Sequence, residues 1–161
     1  MELDDQSRPL RAEHVLQFPY RRATGAILGR FFSVIRDHGR LLGVKTAAGD
    51  VLCPPVDVDP DSLADLSPDD LVEVGPAGCV TSWTWLEEPR PGNPLERPFA
   101  WALIRLDGAD SALLHAVDAG SESAMRTGMR VVPRFRDERN GDIRDIACFE
   151  PCRSVEPEGE G

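Results

Sequence analysis

The chain has 161 residues and a formal net charge of −10, from 28 acidic and 18 basic side chains. That length suits one ordinary domain with a single core, and no apolar run approaches the ~20 residues that a membrane span requires. Lysine occurs once, at Lys45, and so anionic a chain argues against nucleic acid, whose affinity rests on phosphate neutralisation.

The first residues, MELDDQSRPL, are acidic and lack an apolar stretch behind a positive start. No secretory leader is therefore expected, and the expected location is the cytoplasm. Residues 1–22 read as an arm, ordered only where Val15, Leu16 and Phe18 find a surface. A helix is predicted over 23–38, with Thr24 as N-cap, Gly39 at its end, and Ile27, Leu28, Phe31, Phe32 and Ile35 at helical spacing. Gly25 and Gly29 place two small residues on one of its faces.

Residues 39–55, GRLLGVKTAAGDVLCPP, predict two short strands, 41–46 and 51–53. Gly49-Asp50 joins them and Pro54-Pro55 stops the second. The stretch 57–73 holds seven acids and no base, and an irregular acidic loop is expected there. By contrast, 126–144 gathers Arg126, Arg130, Arg134, Arg136, Arg139 and Arg144, either as solvated surface or as a local anion or partner site.

From residue 71 the pattern is all-β. Segments 71–74 and 78–85 read as one long strand bent at Gly75-Pro76. A proline-rich loop, 87–98, leads to a strand over 99–106. Asp107-Gly108 turns into a return strand over 111–117. After a connection over 118–128, strands 129–136 and 143–149 form a last hairpin around Asn140-Gly141. Five strands with the main crossover between the third and fourth predict an OB-fold, a five-stranded Greek-key barrel. The fold class expected is therefore mainly β: a barrel preceded by a helix and a short hairpin.

No chemistry-bearing motif stands out. The sequence has no P-loop, dinucleotide fingerprint or His-Glu-x-x-His. Of the histidines, His14 and His38 lie outside any nucleophile motif, and His115 reads as a satisfied strand residue sharing a face with Leu113 and Val117. Cys53, Cys79, Cys148 and Cys152 lack Cys-x-x-Cys spacing and read as reduced, buried small hydrophobes. Strand alternation puts Trp101, Leu103 and Arg105 outward, and Thr81, Trp83 and Trp85 together on one face of the preceding strand. If those faces coincide, the barrel presents a Trp/Leu/Arg patch of the kind enriched at interfaces; otherwise the helix covers it.

Several segments together resemble one family, the zinc-ribbon/OB-fold proteins labelled domain of unknown function 35. GCVTSWTW resembles its first OB strand, and RPFAWALIRLDGADSALLH its second and third. RTGMRVVPRFRDERNGDIRDIACFEP is similar to its closing strands, so the resemblance spans roughly 20–151. The hairpin resembles the family's ribbon frame, in which two Cys-x-x-Cys knuckles flank Pro-Pro. Aligned on Pro54-Pro55, the ligand positions fall on Thr46, Gly49, Asp59 and Ser62, none a cysteine or histidine. The resemblance thus implies a metal-free member, with zinc absent and with Leu41, Leu42, Val44, Val51 and Leu52 holding the ribbon by packing. Expected boundaries are 1–22 arm, 23–38 helix, 39–70 ribbon and linker, 71–151 barrel and 152–161 tail.

The resemblance also implies a function. Members of this family support thiolase-like or lipid-transfer-protein-like acyl-CoA enzymes, including thiolase-fold aldolases of steroid side-chain breakdown, as non-catalytic subunits. A hetero-oligomer is therefore expected. Phe31 and Phe32 on the helix, with Trp83, Trp85, Trp101, Leu103 and Arg105, would meet the partner. Arg90 and Arg97 in the proline-rich loop are the candidates for coenzyme A phosphate contacts. The alternatives are a stand-alone acyl-thioester enzyme and a single-stranded nucleic-acid binder. No membrane association is expected.

Overall fold

The computed structural model describes residues 14–19 and 23–152; most of the expected arm and tail lies outside them. Helix α1, Gly25–His38, turns Ile27, Phe31, Val34 and Ile35 to the interior. Gly39 closes it in the left-handed conformation, its N–H donating to the Ile35 carbonyl at 3.0 Å. Only glycine adopts that backbone without penalty. Thr24 does not cap: it has helical torsions and its side chain bonds no helix N–H. Gly29 receives no backbone neighbour within 4 Å, so its small size serves no close approach.

Strands β1 (Leu41–Lys45), β2 (Val51–Leu52) and β3 (Leu71–Val74) form a three-stranded sheet in the order β2-β1-β3. Strands β4 (Gly78–Leu86), β5 (Phe99–Leu106), β6 (Leu113–Val117), β7 (Arg130–Phe135) and β8 (Ile146–Pro151) close into a barrel ordered β4-β5-β6-β8-β7. The step from β6 to β7 skips over β8, the expected crossover. Two expectations change here. Segment Leu71–Val74 is not the start of a barrel strand, because it pairs with β1 and hands the chain over at Gly75-Pro76. Residues Ile143–Asp145 form a 3-10 turn, and the last strand starts only at Ile146.

The acidic linker is more ordered than its composition suggests. Val58 bridges Asp65, and the 3-10 turn Pro68–Asp70 carries a reciprocal cap between Ser67 and Asp70. Its carboxylates satisfy backbone N–H groups locally, as short polar side chains do. Asp59 accepts from the Ser62 hydroxyl at 2.8 Å and the Asp61 N–H at 3.0 Å. Thr46 is 7% exposed and its Oγ1 has no hydrogen-bond partner among the described residues.

One apolar core runs through both sheets. Phe31 and Ile35 of the helix, Leu41, Cys53 and Val74 of the small sheet, and Val80, Ile104 and Phe149 of the barrel belong to one buried cluster. The β2 hairpin is also stitched to the β5–β6 turn. Val51 N–H donates to Asp110 at 2.8 Å, Cys53 N–H donates to Ser111 Oγ at 2.7 Å, and that hydroxyl returns a bond to the Cys53 carbonyl at 3.0 Å.

Barrel closure brings β4 and β5 together so tightly at Gly78 that an added Cβ would sit 2.8 Å from the Arg105 carbonyl oxygen and 2.9 Å from Ile104 Cγ2. Gly78→Ala should therefore destabilise the fold by about 1–3 kcal/mol, the usual range for overpacking. Urea unfolding would measure it; an unchanged midpoint would mean that the strands part freely at this point.

Candidate functional site

A bulge decides which tryptophans the barrel displays. Along β4–β5, Val80 pairs with Ile104, but the next pair is Ser82 with Leu103. Thr81 is the extra residue, its hydroxyl donating to the Leu103 carbonyl at 3.1 Å. Residues directly opposite one another in an antiparallel pair share a face. Ser82 and Thr84 therefore join Leu103 and Trp101 outside, whereas Trp83 and Trp85 face inward with Ala102 and Ala100. Both tryptophans pack on the main core. The expected single patch is thus split, because a bulge reverses alternation beyond it. Phe31 also leaves the surface set: it is 1% exposed in the core, while Phe32 is half-buried beside it at 5.3 Å between ring centroids.

What remains outside is an apolar strip across β5 and β6. Leu103 and Leu114 are cross-strand partners, 41% and 58% exposed. Trp101 lies next to them, half-buried and edge-on to Phe99 at 5.3 Å. Arg105 is exposed further along β5. Helix α1 packs against β1 and the turn Ile143–Asp145, and it leaves Leu103 and Leu114 exposed.

The loop between β4 and β5 folds over the outer barrel face. Leu86, Leu95 and Trp101 pack on a second buried cluster of Phe99, Ala116 and Cys148. Arg97 in this loop pairs with Asp118. Arg90 shows no ion pair among the described residues, and its N–H donates to Asn93 Oδ1 at 2.7 Å. It lines a cleft with Trp101. Arg134 reaches Glu150 at 2.6 Å and the Cys148 sulfur at 3.1 Å. The ligand atoms of Asp118, Cys148 and Glu150 lie within 4.8 Å of one another, but Arg97 and Arg134 already balance their charge. Burial raises the Cys148 thiol pKa against the opposing pull of Arg134.

Beside this loop is a cavity of about 210 Å³. β6 and β8 are joined in parallel through one register pair, Val117 with Phe149, and the cavity lies where they diverge. Trp101, Leu114, Ile143 and Ile146 supply apolar walls, and Arg136 and Arg144 stand among its lining residues. Asp145 organises the adjoining turn, its buried carboxylate accepting from the N–H groups of Asn140 at 2.8 Å and Gly141 at 2.7 Å. Arg136 donates through Nε to the Arg144 carbonyl at 2.7 Å. Sequence reading singled out neither Asp145 nor this pairing; the concentration of arginines over 126–144 was the trace of it.

His115 also lines the cavity. It is 5% exposed, pairs with Ala102 and stands edge-on to Phe149 at 5.6 Å. It is a buried strand histidine as expected, but not a fully satisfied one, because Nδ1 has no hydrogen-bond partner among the described residues. Burial lowers its pKa below 6.5, with backbone carbonyls opposing the shift. Cys53, also buried, has its thiol pushed up to about 12. All four cysteines are free. No hydrogen bond joins His115 to a cysteine or carboxylate among the described residues, so these groups do not form a nucleophile–base pair.

The depressed His115 pKa has a pH consequence. The unfolded imidazole takes a proton near pH 6.5, whereas the folded one resists until lower pH. Its contribution to stability is therefore complete above the unfolded value and is lost as pH falls from there toward the folded value. His115→Gln should flatten the decline of the urea midpoint between about pH 7.5 and 5. An unchanged slope in the variant would assign that decline to other groups.

Residues 71–136 match the family model described as the C-terminal OB-fold domain of ChsH2. No curated protein matches the chain. Among solved structures, the Ltp2-ChsH2(DUF35) aldolase is similar at 22% identity and a TM-score of 0.58, covering 81% of this chain and 98% of that one. A DUF35-family protein of unknown function from Sulfolobus solfataricus is similar at 21% identity and a TM-score of 0.53, covering 68% of this chain and 77% of that one. Among the described residues, no helix is long and apolar enough to cross a membrane. With the closed five-stranded barrel and its single preceding helix, these likenesses show an OB-fold, similar to the C-terminal domain of ChsH2 and to the fold of the two DUF35 structures.

Proposed function

We propose that this chain is a non-catalytic accessory subunit that binds and supports a thiolase-like or lipid-transfer-protein-like acyl-CoA enzyme, the partner supplying the nucleophile. The observation that carries the reading is the uncovered strip of Trp101, Leu103 and Leu114 on the outer face of β5–β6. Contiguous exposed apolar residues on a sheet are the usual mark of an interaction surface, and Arg105 beside them suits its rim. The similar structure described as the Ltp2-ChsH2(DUF35) aldolase makes a carbon–carbon lyase, or a thiolase of related fold, the partner class to test first. Steroid side-chain breakdown is the setting the family resemblance favours, in a cytoplasmic hetero-oligomer.

Within that reading, Arg90 is the stronger candidate for a coenzyme A phosphate. Arg97 is already paired with Asp118, so recruiting it would break an existing contact. The small sheet would serve as metal-free scaffold. Its second pair of former ligand positions, Asp59 and Ser62, is joined by a hydrogen bond, and the sheet shares the barrel's core. A soft metal needs thiolate or imidazole donors at those positions, which Thr46, Gly49, Asp59 and Ser62 do not provide.

Two measurements test these proposals. Co-expressed with a thiolase-like or lipid-transfer-protein-like enzyme of the same organism, the chain should co-purify as a hetero-oligomer. The double substitution Leu103→Asp and Leu114→Asp should weaken the complex at least about tenfold while the circular dichroism spectrum is retained. A partner equally soluble and active alone, with no co-purification, would sink the accessory role. Separately, metal analysis should find far less than about one zinc per chain, and chelator should leave thermal unfolding unchanged; stoichiometric zinc would refute the metal-free ribbon.

A further inference from the structure

We propose that the cavity between the outer face of β5–β6 and the turn Ile143–Asp145 binds a small amphipathic organic anion, an alkyl or aryl chain of medium length ending in a carboxylate.

The walls determine the body of the ligand. Trp101, Leu114 and Ile146 give an apolar lining, and burying apolar ligand surface there is favourable at roughly 25 cal/mol per Å². The volume of about 210 Å³ corresponds to the share of about seven waters. It lies below the roughly 300–1,000 Å³ of sites for drug-sized ligands, so a nucleotide or a polycyclic molecule is too large.

The polar groups determine the head. Arg144 is held by Asp142 at 2.7 Å, which neutralises much of its charge. Arg136 uses Nε on the Arg144 carbonyl and forms no ion pair among the described residues. Its two terminal nitrogens remain for an oxyanion, which guanidinium binds in a fork. An ammonium head would meet the two arginines unfavourably, and a neutral alcohol would forgo the charge-assisted bond. This inference does not depend on the accessory role, because the site lies wholly within one chain.

Octanoate is a suitable probe, with octan-1-ol and octylammonium as matched controls. Isotope-labelled full-length chain titrated with octanoate should give saturable NMR shifts at the Trp101 indole and the backbone amides of Leu114 and His115. Octanoate should bind at least about tenfold more tightly than octan-1-ol, and octylammonium should give no saturable shift. Arg136→Gln, an exposed change, should remove that tenfold preference and leave octan-1-ol unaffected; Arg126→Gln should change nothing. Leu114→Trp should fill the cavity and abolish binding of both. Absence of saturable shifts, shifts centred elsewhere, equal affinity for acid and alcohol, or an unaltered preference in Arg136→Gln would each overturn the proposal.

Discussion

The extra residue at Thr81 sets the character of both barrel faces. Without it, the alternation that buries Val80 would also bury Ser82 and Thr84 and push Trp83 and Trp85 into solvent. With it, Ser82 and Thr84 turn outward, and the two indoles lie over Ala100 and Ala102. The alanines are small because they face those rings across the pair. Bulges also increase local twist, which suits a strand that must reach β5 on one side and β7 on the other. The same register leaves Trp101 and Leu103 outside. The insertion thus decides which β4 side chains flank that strip and which fill the interior.

The small sheet is tied down by the barrel beside it. Its hairpin is short, and isolated two-stranded hairpins are marginal in water. Here β1 gains β3 as a third strand, and β2 is bonded to Asp110 and Ser111 of the β5–β6 turn. The core residues Leu41, Cys53 and Val74 continue directly into the barrel's Leu106 and Val80. Hydrogen bonds and shared burial couple the two sheets.

The loop over the outer face has a different role. It forms a second buried layer with Phe99, Ala116 and Cys148, while its arginines and those of β7 gather along the same side. Charges that are scattered in sequence, Arg97 with Asp118 and Arg134 with Glu150, become neighbours there. A chain that is strongly anionic as a whole is therefore locally charge-balanced beside an apolar strip and a cavity. His115 links interior and exterior, packed on Phe149 yet lining that cavity.

The sequence alone determined the helix, the hairpin turn at Gly49, the barrel strands and their crossover. These are local matters: periodicity of apolar residues and turn chemistry repeat within a few positions and require no knowledge of distant neighbours. It likewise identified Trp101, Leu103 and Arg105 as outward-facing, since their strand runs without interruption. Only the tertiary structure decided that Leu71–Val74 belongs to the small sheet, that Phe31 is core, and that Trp83 and Trp85 face inward. Each of those depends on pairing with residues far along the chain, and a one-residue bulge carries no compositional mark. The cavity is of the same kind. Trp101, Leu114, His115 and Ile146 occupy three strands and Arg136 follows a fourth, and only closure of the barrel sets them side by side.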